Sequence, residues 1–438
     1  MIKKTLKLAM IASAMGCLFG PGIPGAMGEA WGEAIYKGVA FDPAIEEKFL
    51  EAMKYRESGD MAASIEILQT VLANQPMIHR ARLELAVAYY QSMQYEQAVA
   101  NAEKVLEDPE TPPNVRATIL AFLAQVKQEQ ATPVSRHHWK FPVEVGYVYD
   151  TNVNVGPNSS IIDGFIFNPN DVAQSDSGIV LQAGVEHTYQ TTKQYQIGKT
   201  PAQLLWQSGF NAYRRSYFSE TDSTFDVLTV RTGPTLVAQG KWSANLSLQD
   251  DYIRYGDEEL ANYLYLLPTF TYHVTDSLEV TTDAIVCNRD FTNSLYDGRD
   301  SIYLMGRVAV GYTMLEGAVS VQGGVDIFDE NADENQWSNT GTDLFLGGIW
   351  KVLENDHVFA QINWMNADYD EPPTGFTSSR DEDQWRYTIG VNHKFEGGPE
   401  WIKDWKAELK FVYTESDANL DPFDYDRAET YMTMSKTF

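Results

Sequence analysis

The chain has 438 residues, with 61 acidic against 33 basic side chains and a formal net charge of −28. That balance excludes the basic footprint of a nucleic-acid binder, and the length allows two or three domains rather than one ordinary core. The two cysteines, Cys17 and Cys287, have no metal-ligand spacing, and Cys287 reads as a small side chain in a strand.

Lys3, Lys4 and Lys7 form a positive end, and Leu6 to Phe19 is mostly apolar but too short to span a bilayer as a helix. Small residues follow as far as Ala26-Met27-Gly28, so residues 1–28 read as a secretory signal. Lipidation at Cys17 is the alternative, but the preceding Ala14-Met15-Gly16 fits a lipobox poorly. No later segment offers the roughly 18 uncharged apolar residues a spanning helix needs. A mature chain that enters a membrane is therefore expected to enter as a barrel.

Residues 42–130 show helical spacing and frequent alanine, within an expected domain of residues 29–132. The segment repeats at an offset of 34 residues: Ala52 matches Ala86, Tyr55 matches Tyr89, Ser64 matches Ala98, and Val71 matches Val105. Gly59 is expected at the turn of the first copy, and Pro76 closes it. Small residues let paired helices approach while a tyrosine fills the gap between them. A last helix is expected over residues 114–130. This pattern resembles the tetratricopeptide repeat. The resemblance implies a concave binding face containing Arg56, Arg80, Val87, Tyr90 and Gln91; the plainer reading of these residues is solvation or packing.

After Thr132-Pro133 the period becomes two. Residues 139–149 place Trp139, Phe141, Val143, Val145, Tyr147 and Tyr149 on one face, and residues 177–190 do the same with Ile179, Leu181, Ala183, Val185 and Tyr189. In residues 404–415 the apolar face of Trp405, Ala407, Leu409, Phe411 and Tyr413 opposes Lys406, Glu408 and Lys410. Such a wall separates lipid from a wet lumen. Fourteen segments start near residues 139, 177, 202, 223, 241, 261, 277, 300, 317, 340, 356, 382, 404 and 425. Links after even-numbered segments are mostly short, with residues 191–200 as the exception. Links after odd-numbered segments are longer and often acidic, and this alternation is that of an outer-membrane barrel. Trp242, Tyr252, Tyr255, Trp385 and Trp401 suit interfacial girdles. The terminal Phe438 suits an assembly signal, although Lys436 interrupts the alternation unless it snorkels. A soluble β-sandwich or propeller explains neither the loops nor the terminus.

The expected fold class is thus α+β with two domains: a short N-terminal helical array, followed over residues 139–438 by a 14-stranded antiparallel transmembrane β-barrel. No catalytic or phosphate-binding signature is present. His187 and His273 read as lumen or interface residues rather than hydrolase bases. Asp329 to Glu334 reads as a solvated acidic loop rather than a calcium site. No cofactor is expected.

At the domain junction, Tyr149, Asp150, Asn152 and Asn154 lie in the run GYVYDTNVNVGP. A first strand ending this way, after helical repeats, resembles the surface lipoprotein assembly modifier family. The resemblance implies a fourteen-stranded barrel with a periplasmic repeat domain that helps move lipoproteins or related proteins to the cell surface. Outer-membrane lipid, the outer-membrane assembly machinery, and a periplasmic protein cargo or chaperone would be the partners. The rival readings are polysaccharide export and a diffusion porin with a periplasmic scaffold. Asp150, Asn152 and Asn154 are read either as an Asx-rich turn or as shaping the first loop or the seam between first and last strands.

Overall fold

The computed structural model describes residues 43–438 except 58–59, 93, 109–110, 112, 132–135, 163–164, 167, 169, 199, 239, 257, 294–295 and 316. The expected signal, the Gly59 turn and the Thr132-Pro133 boundary lie outside the described residues.

The described N-terminal part holds helices α1 (Pro43–Glu57), α2 (Met61–Asn74), α3 (His79–Gln91), α4 (Tyr95–Leu106) and α5 (Pro113–Ala131), each packed on the next. The Asp60 side chain accepts from the Ala63 N–H at 3.2 Å and so caps α2. The repeat offset is expressed in packing, since Ala52, Ala86, Ser64, Ala98, Val71 and Val105 are all buried. Alanine at these contacts allows close helix approach. Among the described residues no helix is long and apolar enough to cross a membrane.

The rest is a closed antiparallel barrel. Its strands are β1 (Pro142–Asp150), β2 (Asp176–Ile197), β3 (Thr200–Tyr217), β4 (Phe225–Ala238) and β5 (Trp242–Tyr255). They continue as β6 (Glu258–His273), β7 (Leu278–Phe291), β8 (Ser301–Met314), β9 (Val319–Ala332) and β10 (Asn339–Lys351). The last are β11 (Asp356–Tyr369), β12 (Asp381–Lys394), β13 (Lys406–Ala418) and β14 (Tyr425–Thr437). Each pairs with its chain neighbour, and β14 pairs with β1 from Glu429↔Asp150 to Thr437↔Pro142. That pairing removes both sheet edges. A short piece, His137–Lys140, prolongs β1 along β2. The fourteen strands therefore stand where the period-two pattern places them.

Alternation sets the two surfaces. Leu264, Leu266, Leu344, Leu346, Ile389, Val391, Leu409 and Phe411 are exposed on the outside, which suits hydrocarbon. Lys436 donates to the Lys403 carbonyl at 2.8 Å and lies over the Phe438 ring. It shares the outward parity of Met432 and so interrupts the apolar alternation as expected, with its ammonium held at the end of β14.

The links depart from expectation at three places. Residues 191–197 are strand, so the expected exceptional loop is a hairpin turned at Gly198, where φ is +61°. A register shift between Gln190 and Gln194 lets this β2–β3 hairpin extend past its neighbours. On the long-loop side, β5 ends at Tyr255 and β6 starts already at Glu258. On the short side, residues 395–405 form a longer link. Tyr255 is also reassigned, because it packs inside with Tyr263 and Phe291 rather than in an outer girdle.

Candidate functional site

The inward side chains divide the lumen into two halves. Toward the short turns the wall carries small or neutral polar residues such as Gly184, Gln207, Asn211, Asn245, Thr269, Thr281, Gln322 and Gln361, together with one charged group of Glu144, Lys406, Glu408 and Lys410. Several bond sideways along the wall: Thr235 donates to Gln207 at 2.7 Å and Asn245 donates to Thr235 at 2.7 Å. Gln207 and Gln322 stand exposed within this half. The inward residues buried here are small ones, such as Thr235, Ser247, Ala309 and Thr433.

Toward the loops the same strands carry tyrosine, arginine and carboxylates, and these bond to one another across strands. Arg289 of β7 donates to Glu330 of β9 at 2.7 Å, past the intervening β8. Its guanidinium lies over the rings of Tyr303 and Tyr263, at 4.3 and 5.4 Å from their centroids. Tyr263, Phe291, Tyr296 and Cys287 are buried around it.

The second packed cluster lies at the seam. Arg427 of β14 holds Asp150 of β1 through its Nε at 3.1 Å and its Nη2 at 2.5 Å. Tyr217 of β3 donates to the same carboxylate at 2.5 Å. Arg215, also on β3, reaches Glu429 and Tyr431 of β14 at 3.0 and 3.2 Å. The wall order β14–β1–β2–β3 puts two strands between those partners. These bonds are therefore chords through the interior, not contacts along the wall. Fully desolvated charges are tolerated only when paired and hydrogen-bonded in this way.

The first-strand motif is drawn into this cluster except for Tyr149, whose ring is exposed on the outer face. Asp150 accepts from the Asn152 N–H at 2.9 Å, an Asx turn. The Asn152 side chain accepts from the Gly156 N–H and donates to the Gly156 carbonyl, each at 2.8 Å, and also donates to the Asp426 carbonyl on β14 at 3.2 Å. Asn154 donates to the Val172 carbonyl at 2.8 Å and accepts from the Gln174 N–H at 2.9 Å, which ties the departing and returning arms of the first loop together. The turn and seam readings of these residues are thus one arrangement. Sequence reasoning missed Arg427, Glu429, Arg215 and Tyr217. The parity of Arg427 and Glu429 in β14 places both inward, but only ring closure brings them beside Asp150.

The five helical residues do not share one environment. Arg56 pairs with Glu84 at 3.3 Å, and Arg80 lies over the Phe49 ring at 5.2 Å. Burial pushes the Glu84 carboxyl above its usual range, and the opposing pull of Arg56 and Arg80 does not prevail. Arg56, Arg80 and Glu84 therefore form one charged patch that spacing alone did not include Glu84 in. Val87 is part-buried and Gln91 exposed. Tyr90 packs on Tyr95 and Phe122, at ring distances of 6.0 and 5.6 Å, within the helix stack. Among the described residues no group of three or more His, Cys, Asp or Glu could hold a metal ion.

No family model matches the chain. A surface lipoprotein assembly modifier of Pasteurella multocida is 27% identical over 123 residues, which is 28% of this chain and 22% of that protein. The matched region thus spans under a quarter of that relative's length. Among solved structures, a loop L8 deletion mutant of OmpT, an outer membrane protein of Vibrio cholerae, is 11% identical with a TM-score of 0.40, covering 69% of this chain and 100% of that one. OccK3 (OpdO) of Pseudomonas aeruginosa is 10% identical with a TM-score of 0.33, covering 69% and 95%. The chain is an outer-membrane β-barrel with N-terminal helices, and it resembles a surface lipoprotein assembly modifier.

Proposed function

We propose that this protein is an outer-membrane translocator that assists delivery of lipoproteins or other secreted proteins to the cell surface. The helical array, in the periplasm, engages a protein cargo or its chaperone, and the barrel provides the route. One observation carries this reading: the inward wall presents exposed amides such as Gln207 and Gln322 toward the turns and is cross-braced by ion pairs toward the loops. A diffusion porin needs a standing aqueous path, and the Arg289–Glu330 and Arg215–Glu429 bonds, which reach past one and two intervening strands, favour a narrowed one on the loop side. A translocator needs a receiving chamber and an exit that opens on demand. Connectivity supports the rest, since β1 begins at Pro142 at the turn end and the helical array precedes it in the chain. The similarity to a surface lipoprotein assembly modifier supports the cargo class.

One feature favours a second reading. The amide and hydroxyl lining of Gln207, Thr235 and Asn245 also suits the hydroxyls of a polysaccharide in export. Deleting the gene and scoring surface exposure of candidate lipoproteins tests the first reading. Loss of exposure for at least one, restored by the intact gene, is expected. Unchanged exposure of every candidate, with loss of a surface glycan instead, would move the assignment to the second.

A further inference from the structure

We propose that Asp150, Arg427 and Tyr217 form a latch that holds the root of the first loop folded into the outer mouth, so that the barrel rests closed and opens when this latch releases. The inference concerns the regulation of the barrel proposed above, yet it rests on the barrel's interior alone and not on the cargo.

The geometry is specific to this point of the ring. Asp150 is the last residue of β1 and is fully buried, so its carboxylate has no water to fall back on. It receives a bidentate guanidinium from β14, a phenol from β3 and the backbone of the loop itself. The loop does not run out to solvent from there. Val153 is buried among Val148, Val180 and Tyr217, which are inward side chains of β1, β2 and β3. Thr151 donates its N–H to the Ala428 carbonyl and accepts from the Ala428 N–H through its hydroxyl, at 3.0 and 2.8 Å. Asn158 exchanges bonds with Asp426, donating to its carboxylate and accepting from its N–H, both at 3.0 Å.

The root is thus fastened at Thr151, Asn152, Val153, Asn154 and Asn158 to β14 or to its own return arm, and the Asp150 carboxylate at its base ties β14, β3 and the loop together. Arg427 also touches Glu429 at 3.1 Å, and Glu429 holds Arg215, so the latch continues into the chord that crosses the interior. Loss of Asp150 or Arg427 leaves the surviving charges buried without a full complement, and the cheapest remedy is to let water in by swinging the root outward. Backbone pairing of β14 with β1 below Asp150 does not depend on these side chains. Release therefore opens the mouth while the seam stays zipped.

Planar-bilayer recording of the purified full chain tests this. The wild type is expected to stay near baseline with rare openings. Arg427→Ala and Asp150→Ala should each raise the open fraction about tenfold or more. Tyr217→Phe, which removes one hydrogen bond, should raise it several-fold less. A pair of cysteines at Asn158→Cys and Asp426→Cys should suppress openings when oxidised and restore them on reduction. This lock keeps the proposal testable even if the alanine variants fail to fold. Steady porin-like conductance in the wild type, or a lock without effect on openings, would overturn the latch. Loss of lipoprotein display with the latch confirmed would overturn only the cargo reading.

Discussion

The two halves of the lumen are built on the same strands with the same alternation, yet they answer different physical demands. On the turn side the inward residues include glycines, amides and hydroxyls that water can satisfy, and the charges among them, Glu144, Lys406, Glu408 and Lys410, are part-buried on neighbouring strands. On the loop side they are aromatics, guanidiniums and carboxylates, and they satisfy one another. Periodicity therefore decides which way a side chain points, while residue size and charge decide whether the space it points into is filled. The outer wall shows no such change, because hydrocarbon asks the same of every height between the interfaces.

If that contrast is right, equal insults to the two halves have unequal effects. The largest is expected at Arg289→Ala, which leaves the part-buried Glu330 carboxylate with the neutral donors Ser301 and Asn339 in place of a cation and empties the space over Tyr263 and Tyr303. It should cost about 3–5 kcal/mol, read as a drop in the urea midpoint for unfolding from detergent or lipid. A cost under about 1 kcal/mol would mean that the loop-side half is wet like the other. On the turn side, Gln207→Ala removes the acceptor of the Thr235 hydroxyl. Water can replace it, so the same assay should show less than about 1 kcal/mol.

The smallest effect lies outside the barrel and serves as a control on it. The Glu84 carboxyl titrates higher in the folded array than in the unfolded chain. The folded state therefore binds the extra proton, and stability falls as pH rises from the ordinary glutamate value through the raised one. Glu84→Gln should flatten that slope in the helical domain's unfolding, measured by circular dichroism on the full chain, and leave the barrel's transition unmoved. An unchanged slope would mean that Arg56 compensates the burial fully.

Much of this was legible in the sequence. Strand starts near 177, 340, 356 and 425 fall within a residue of those observed at 176, 339, 356 and 425, because apolar alternation is a local signal. The 34-residue offset likewise located buried positions such as Ala86 and Ala98. The β2–β3 hairpin was not legible, since Thr191 to Gln196 is polar on both faces and reads as loop. Tyr255 could not be told from a girdle aromatic, because parity at a strand end depends on register. The motif around Asp150 was visible, but its partners on β3 and β14 are distant in the chain and meet only through closure. Glu84 was passed over because its neighbours, not its spacing, give it meaning.

The closed outer mouth is tested most directly by thiol labelling on intact cells. Gln322 faces inward on the turn side and is exposed there, so Gln322→Cys places a reactive group in the receiving chamber. A membrane-impermeant maleimide too large for general porins should leave it unlabelled from outside and label it once the outer membrane is breached. Equal labelling in intact and breached cells would show an open lumen and contradict the account.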